Sequence, residues 1–207
     1  NTLHVYLDGD GTPQSSDPTA RNALILELFS QDNAPAILLG RPCYYALFDS
    51  PNCQAIIWTS ARYSQGVIDS MVFALQSWLK NKSFNHIVFI GYSGGAAIAT
   101  LLAEYFPQTK AIVTVAGNLD VKAWQEHHHF QPMFESLNPI EGAKISPKIK
   151  QFHLAGRRDD NVLPEFIANF NQQQTNSQVV IFAEYDHQCC WAESWQKFLA
   201  ANIFIMD

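Results

Sequence analysis

Short apolar runs alternate with amphipathic stretches along the whole chain. Runs rich in Val, Ile, Leu and Phe are typical of strands that are buried on both faces of a parallel sheet. The predicted strands are residues 3–7, 36–39, 86–90, 111–116, 149–154 and 179–183, with 55–58 as a further strand or only a loop. The pattern therefore predicts a sheet whose strands are joined by helices.

Helices are predicted between these strands from their start and stop signals. Asp17-Pro18 opens a helix through residue 29, Ser64 opens one through residue 80, and Pro107 stops the helix at 94–106. Two more are predicted, at 163–170 and 191–203. This alternation predicts an α/β fold with a mostly parallel, doubly wound sheet. The stretch 118–147 has His, Pro and aromatic residues without clear periodicity, so we predict a cap or irregular insertion there.

The composition narrows the class of protein. A chain of 207 residues, 47% hydrophobic and 15% charged, predicts one globular domain over residues 1–207. A formal net charge of -6 gives no electrostatic signal for nucleic acid, and no apolar run approaches the roughly 20 residues of a transmembrane helix. The first residue is not Met and a strand follows almost at once, as in a processed or trimmed product of a longer protein.

A serine flanked by glycines follows the strand predicted at 86–90. The residues are Gly91-Tyr92-Ser93-Gly94-Gly95, which match the Gly-x-Ser-x-Gly pattern. This pattern places a nucleophilic serine on a sharp turn between a strand and a helix, where crowding leaves room only for glycine on either side. We therefore predict Ser93 as a nucleophile. The alternative is a glycine-rich turn in which the serine has no catalytic role.

A nucleophilic serine needs a base that accepts its proton. His187 lies beyond the strand predicted at 179–183, where the histidine belongs in a chain order of serine, acid, histidine. The other histidines fit less well: His4, His86 and His153 fall in or at predicted strands. The run at 127–129 precedes the best-placed acids. Because neighbours in sequence rarely converge on one ion, we predict surface or cap residues there and no metal site.

Three aspartates compete for the role of the acid that orients His187. Asp159 and Asp160 follow the strand predicted at 149–154, and Asp120 follows the strand before it. Each of them is also compatible with an ordinary charged surface turn. The residues alone leave this choice open.

Acyl transfer also needs hydrogen-bond donors for the developing oxyanion. The backbone N–H of Gly94, directly after Ser93, is one predicted donor. The loop after the first strand, Asp8-Gly9-Asp10-Gly11, is expected to supply the second, and we predict the N–H of Asp10. Taken alone, this loop also fits a turn or a weak calcium site, but it lacks the further ligand spacing that such a site requires.

With these residues in place, the chain resembles the α/β-hydrolase superfamily over essentially its whole length, beginning at the third of the usual eight strands. Segments 3–11, 40–44, 58–64, 91–95 and 116–120 look more narrowly like an uncharacterised bacterial branch of it. Members of that branch are described only as hydrolases, and many are exported or lipid-anchored. The resemblance implies an α/β-hydrolase fold without its first two strands.

The resemblance also favours one acid. In superfamily members the acid commonly stands three residues past a glycine that ends its strand, and Gly156 plus three is Asp159. Asp160 would require a turn shorter by one residue, and Asp120 would require the preceding strand, as in some lipases. We predict Asp159, with Asp160 and Asp120 as alternatives.

Four cysteines occur, at positions 43, 53, 189 and 190. Spacing alone does not separate a disulfide from free thiols that pack as small hydrophobes. The exported character of the similar proteins favours a disulfide between Cys43 and Cys53. It also favours a bacterial periplasm or envelope over the cytoplasm.

These predictions describe a serine hydrolase that cleaves a small ester or thioester through an acyl-enzyme and needs no cofactor. Candidate pocket residues are Tyr92, Trp124, Phe130, Met133 and Phe134, although packing is the other interpretation of the aromatic residues. An acyltransferase or a peptidase would use the same three catalytic residues. A non-catalytic binding module on the same scaffold is the alternative of a different class.

Overall fold

The computed structural model, which describes residues 1–142 and 145–201, contains one six-stranded parallel sheet. The strands are β1 (Thr2–Leu7), β2 (Ala36–Leu38), β3 (His86–Tyr92), β4 (Thr109–Val115), β5 (Lys150–Gly156) and β6 (Ser177–Phe182). Their order across the sheet is β2-β1-β3-β4-β5-β6. The chain therefore reverses its direction of travel between β1 and β3, and in open α/β sheets ligands bind at the carboxyl ends of such strands.

Helices cover both faces of the sheet. They are α1 (Leu24–Ser30), α2 (Gln65–Leu79), α3 (Gly94–Leu102), α4 (Val121–His127), α5 (Pro164–Gln172) and α6 (Trp191–Ala200). Single 3-10 turns occupy Ala55–Trp58, Ala103–Tyr105 and Pro139–Glu141. Side chains of α2, α3 and α5 pack on one face, and those of α1 and α6 pack on the other.

Alternating side chains of the central strands supply the two halves of the core. Val5 and Phe89 point to the face covered by α2 and α3, whereas Tyr6 and Ile90 point to the face covered by α1 and α6. All four are fully buried. Burial on both faces is the reason that these strands are continuous apolar runs in the sequence.

The predicted doubly wound α/β sheet is confirmed, with local corrections. Residues 55–58 form a 3-10 turn and pair with no strand of the described sheet. The first helix begins at Leu24, because Asp17 Oδ1 accepts hydrogen bonds from the N–H and hydroxyl of Thr19 and holds a turn there. The predicted end of the last helix at residue 203 lies outside the described residues.

The predicted cap stretch 118–147 contains α4 and the turn Pro139–Glu141, and its residues 143–144 lie outside the described part of the chain. Helix α4 has only seven residues, too few for a hydrophobic period to be recognised. Within residues 1–142 and 145–201, no helix has both the length and the apolarity needed to cross a lipid bilayer.

Candidate active site

Ser93 lies at the turn between β3 and α3, at the carboxyl edge of the sheet. Its backbone has φ 52° and ψ -118°, on the positive-φ side that non-glycine residues rarely adopt. A Cβ atom at Gly91 would lie 2.3 Å from the carbonyl oxygen of Gly95, and one at Gly95 would lie 2.2 Å from that of Leu7. Close backbone contacts therefore require both glycines of the motif.

The ring of His187 lies between Ser93 and Asp159. Its Nε2 is 3.1 Å from Ser93 Oγ, and its Nδ1 is 2.9 Å from Asp159 Oδ2. Because an ionised carboxylate only accepts hydrogen bonds, the neutral ring carries its proton on Nδ1 and donates it to Asp159. Nε2 is then free to accept the hydroxyl hydrogen of Ser93. A histidine in this tautomer can act as a general base.

Asp159 is buried in the turn that follows β5, with 3% of the residue exposed. Its second oxygen, Oδ1, accepts hydrogen bonds from the backbone N–H groups of Asn161 (3.0 Å) and Val162 (2.8 Å). These bonds hold the carboxylate in one orientation, with Oδ2 toward His187. The turn therefore presents the acid in a defined position.

The two alternative acids lie in other positions. Asp160 is exposed, and its carbonyl oxygen accepts a hydrogen bond from His127 Nε2 at 3.1 Å. Asp120 caps α4, because its Oδ1 accepts a hydrogen bond from the N–H of Ala123 at 3.1 Å. Of the three predicted aspartates, the structure brings only Asp159 to His187.

Gly94, directly after Ser93, and Asp10, in the loop after β1, carry the two backbone N–H groups that are predicted to bind the oxyanion. Gly94 is the first residue of α3, so its N–H belongs to the positive end of the helix dipole. Asp10 lies in the loop after β1, and its side chain contacts the backbone at Gly94: a Cβ atom placed on Gly94 would lie 2.3 Å from Asp10 Oδ1. Within the described chain, neither N–H donates to a protein acceptor.

The Asp10 carboxylate is the centre of a buried cluster with Arg41, Arg62 and Tyr63, called here the Asp10 cluster. Arg41 Nη1 donates to Oδ1 at 2.6 Å, Arg62 Nη1 donates to Oδ2 at 3.1 Å, and the Tyr63 hydroxyl donates to Oδ2 as well. Although burial alone would raise it, Arg62 and Arg41 lower the pKa of Asp10 to about 2. The carboxylate is therefore ionised throughout the neutral range.

Arg41 extends this cluster to two backbone segments. It also donates to the carbonyl oxygen of Gly9 at 3.3 Å and to that of Arg62 at 3.1 Å. Sequence reasoning did not assign roles to Arg41, Arg62 or Tyr63. The only signal was that all three lie in segments 40–44 and 58–64, which carried the family resemblance.

A cavity of about 460 Å³ is lined by Ser93 and His187. The predicted pocket residues Tyr92, Trp124 and Phe130 also line it. Met133 and Phe134 do not: with Phe130, they line an adjoining depression of about 370 Å³. A larger cavity of about 590 Å³, lined in part by residues of α2, α3 and the Pro139–Glu141 turn, contains none of the predicted site residues.

Helix α4 and His128, the residue that follows it, contact the turn that carries Asp159. His128 Nε2 lies 2.8 Å from the carbonyl oxygen of Asn161, and Trp124 Nε1 donates to Asn161 Oδ1 at 3.3 Å. Since a carbonyl only accepts, the Nε2 of His128 carries the proton. Residues 1–142 and 145–201 contain no group of three or more His, Cys, Asp or Glu with the geometry to hold a metal ion.

The structure contains the predicted disulfide between Cys43 and Cys53, with a Cα–Cα distance of 5.6 Å. It closes the loop that follows Arg41. In this loop, the Tyr44 hydroxyl accepts a hydrogen bond from the N–H of Gly11 at 3.4 Å. The adjacent Cys189 and Cys190 are also bonded to each other. The first disulfide thus lies beside the loop that contains Asp10.

No protein-family model matches the sequence, and no curated protein is significantly similar to it. Solved structures are similar in fold. One is Est1E from Butyrivibrio proteoclasticus with bound ferulic acid, at a TM-score of 0.71 and 12% identity over 98% of this chain and 90% of that one.

Two further similar structures carry descriptions of their activity. An esterase of Pyrococcus furiosus matches at a TM-score of 0.68 and 14% identity, over 97% of this chain and 80% of that one. An alpha/beta hydrolase enzyme from a sediment metagenome of the Mar Chica lagoon matches at 0.61 and 16%, over 97% and 88%. At such identities the likeness shows the fold alone.

Proposed function

The chain has the α/β-hydrolase fold, and from the contacts of Ser93 within it we propose that it is a serine hydrolase. The proposed reaction is cleavage of a carboxylic ester or thioester through an acyl-enzyme on Ser93. The observation that carries this proposal is the hydrogen-bonded array of Ser93, His187 and Asp159, with distances of 3.1 Å and 2.9 Å.

In the proposed mechanism, Ser93 Oγ attacks the carbonyl carbon of the ester while His187 Nε2 accepts the hydroxyl proton. Asp159 holds the ring in the required tautomer and stabilises the imidazolium that forms. The oxyanion receives hydrogen bonds from the backbone N–H groups of Gly94 and Asp10. The tetrahedral intermediate then collapses, and His187 protonates the departing alcohol or thiol.

The second half of the reaction uses the same groups. A water molecule takes the place of the leaving group, and His187 accepts its proton as the water attacks the acyl-enzyme carbonyl. The second tetrahedral intermediate releases the acid and returns the proton to Ser93. Esterases among the structures of similar fold support an ester as the substrate class.

A panel of p-nitrophenyl esters from acetate to octanoate, with a thioester and a peptide beside them, tests this proposal. We expect ester or thioester turnover by the wild type, and a loss on the order of a millionfold in Ser93→Ala. A fluorophosphonate should label the wild type and not the variant. Retention of more than a few per cent of activity in a well-folded Ser93→Ala protein would show that another residue is the nucleophile.

For the location, we propose an oxidising compartment of a bacterial envelope. The Cys43–Cys53 disulfide supports this, because structural disulfides persist where thiols are not kept reduced. Alkylation of the unreduced protein followed by mass spectrometry should leave both cysteines unmodified. Two alkylated thiols at these positions under oxidising conditions would contradict the proposal.

A further inference from the structure

The cavity beside Ser93 is rich in side-chain amides, whereas an aliphatic acyl chain would need an apolar lining. Five carboxamides line it, and they come from loops at the carboxyl ends of β1, β4, β5 and β6. They belong to Gln14, Asn22, Asn118, Asn161 and Gln188. Carboxamide groups thus line the cavity from four separate loops.

Asn118 is the most deeply placed of these residues. Only 2% of the residue is exposed, and its backbone N–H donates to the carbonyl oxygen of Ser93 at 3.0 Å. Its side-chain Oδ1 is enclosed without a hydrogen-bond partner in the described structure. Burial of an unpaired amide is unfavourable, so a ligand that forms hydrogen bonds with this group would relieve the cost.

Other amides at the cavity also keep unused hydrogen-bonding capacity. Asn161 uses its Oδ1 to accept from Trp124, and no described acceptor is bonded to its Nδ2. Gln14 and Gln188 are exposed, and their side chains form no hydrogen bond with the described residues. Asn22 differs, because its carboxamide is already bonded to Leu24 and Tyr92.

The charged side chains on the cavity wall are already paired with each other or with a neighbour. Arg62 is bonded to Asp10 at 3.1 Å, and His187 is bonded to Asp159 at 2.9 Å. The cavity therefore offers neutral hydrogen-bonding groups, with no unpaired charge among the described residues that line it. A neutral polar ligand fits this surface better than an ionised one.

An aromatic ring stands at the same cavity. Phe130 is 54% exposed, and it stacks on His128 at 5.2 Å between ring centroids with an interplanar angle of 15°. Trp124 supports it from the side at 5.2 Å. The Phe130 ring can pack against the apolar face of a ligand ring, while the amides form hydrogen bonds with the polar edge of that ligand.

From this combination we propose that the substrate is an ester of a neutral, polyhydroxylated alcohol such as a sugar, with Asn118 selecting its hydroxyl groups. The inference rests on the function proposed above and names the alcohol part of its substrate. A sugar hydroxyl both donates and accepts, so it can bond to either atom of a carboxamide. A long alkyl group in this position would leave Asn118 Oδ1 and Asn161 Nδ2 without a hydrogen-bond partner.

The test compares two acetate esters that differ only in hydroxyl groups. These are methyl 6-O-acetyl-glucopyranoside and (6-methoxytetrahydropyran-2-yl)methyl acetate, which has the same ring and methoxy group and none of the free hydroxyls. We expect the wild type to have a kcat/KM about fiftyfold or more higher for the sugar ester, because sites that bond a substrate hydroxyl discriminate strongly against analogues without it.

The variant Asn118→Leu, of similar size, should reduce this ratio at least about tenfold. Asn118→Ala serves if the leucine variant does not fold. Asn81→Leu is the matched control: Asn81 is exposed next to the start of β3, at the opposite edge of the sheet, and its variant should keep the wild-type ratio.

A wild-type ratio near one, or p-nitrophenyl octanoate preferred over p-nitrophenyl acetate, would overturn the substrate class. If Ser93 is labelled by a fluorophosphonate and p-nitrophenyl acetate is cleaved, that result leaves the serine hydrolase proposal intact. If no ester is cleaved and Ser93 is not labelled, both proposals fail. An unchanged ratio in both folded Asn118 variants would remove Asn118 as the selecting residue.

Discussion

At the scale of single residues, the candidate site depends on two carboxylates, Asp159 and Asp10, that are each held by several hydrogen bonds. In Asp159, Oδ1 is held by two backbone N–H groups and Oδ2 faces His187. In Asp10, both oxygens are bonded to side chains from other loops, while its backbone N–H stays available. A substitution of either aspartate therefore removes a negative charge and also changes the position of the residues bonded to it.

Asp159→Asn tests the acid assignment. The amide cannot hold His187 in the same tautomer or balance the imidazolium, so we expect turnover to fall about ten-thousandfold. Asp160→Asn is the matched control, because the neighbouring side chain is exposed, and it should keep near wild-type turnover. Ester hydrolysis by both purified variants measures the contrast. If Asp160→Asn or Asp120→Asn loses ester turnover while Asp159→Asn keeps the wild-type turnover, the assignment of Asp159 as the acid is wrong.

Arg62→Leu tests whether the Asp10 cluster positions the oxyanion loop. The substitution removes one of the two cations bonded to the Asp10 carboxylate, which contacts Gly94, so we expect kcat to fall about tenfold to a hundredfold. KM should change by less than about threefold, because the affected interaction belongs to the transition state.

Two further variants complete that experiment. Arg62→Lys keeps the positive charge and should recover part of the lost kcat. Arg158→Leu removes an exposed arginine that is paired with Glu184, and it should leave kcat unchanged. An increase in KM at constant kcat in Arg62→Leu would assign Arg62 to ground-state binding instead.

At the scale of secondary-structure elements, helix α4 connects the cavity wall to the acid turn. Trp124 lines the cavity and donates to Asn161, and His128 donates to the backbone of the same residue. Asn161 in turn donates its N–H to Asp159. A short helix thus restrains the turn that orients the candidate acid, through contacts distant in sequence.

His128→Leu is expected to lower kcat about tenfold, because loss of one hydrogen bond loosens the Asp159 turn and small displacements in a catalytic array are costly. Steady-state ester kinetics provide the measurement. His129→Asn is the control, since His129 is exposed and asparagine tolerates its left-handed φ of 56°. Equal kinetics in the wild type and His128→Leu would show that the turn is held without the His128 hydrogen bond.

At the scale of the whole molecule, the site forms where the order of strand addition reverses, between β1 and β3. Segments that follow the carboxyl ends of all six described strands meet there. The Asp10 cluster links the loops after β1 and β2 to the segment before α2. Its buried charges are compensated only when all three segments are in place. The cluster should therefore couple stability to pH as well as position the loop.

The pH dependence follows from the lowered pKa of Asp10, about 2 in the folded protein against an ordinary value of 3.8. As pH falls, the unfolded state takes up the proton first, so the stabilisation is complete above about pH 5 and is lost toward pH 2. The whole effect is about 2 kcal/mol, of which about 1 kcal/mol is lost between about pH 5 and pH 3.

Urea unfolding at about pH 5 and pH 3 measures this loss. In Asp10→Asn the decrease in unfolding free energy between these pH values should be smaller by about 1 kcal/mol. Asp49→Asn, a change at an exposed aspartate, should behave like the wild type. An identical decrease in wild type and Asp10→Asn would mean that the Asp10 cluster does not couple stability to acid.

The sequence by itself predicted the features that depend on local spacing. Gly91, Ser93 and Gly95 could be recognised because the turn between a strand and a helix admits only particular residues at neighbouring positions. The central strands were recognised because burial on both faces leaves a continuous apolar run. The order of serine, acid and histidine then suggested His187. The choice of Asp159 among three aspartates came from the resemblance to the superfamily, in which the acid commonly stands three residues past a glycine that ends its strand.

Other features were decided only by tertiary structure. Residues 55–58 have the apolar composition of a strand but form a 3-10 turn, since strand pairing depends on neighbours distant in sequence. Arg41 and Arg62 come together on Asp10 across separations of 31 and 52 residues. Asn118 Oδ1 has no hydrogen-bond partner because the described segments packed around it place no donor within reach. Contacts between distant segments have no fixed spacing along the chain, so no local sequence pattern predicts them.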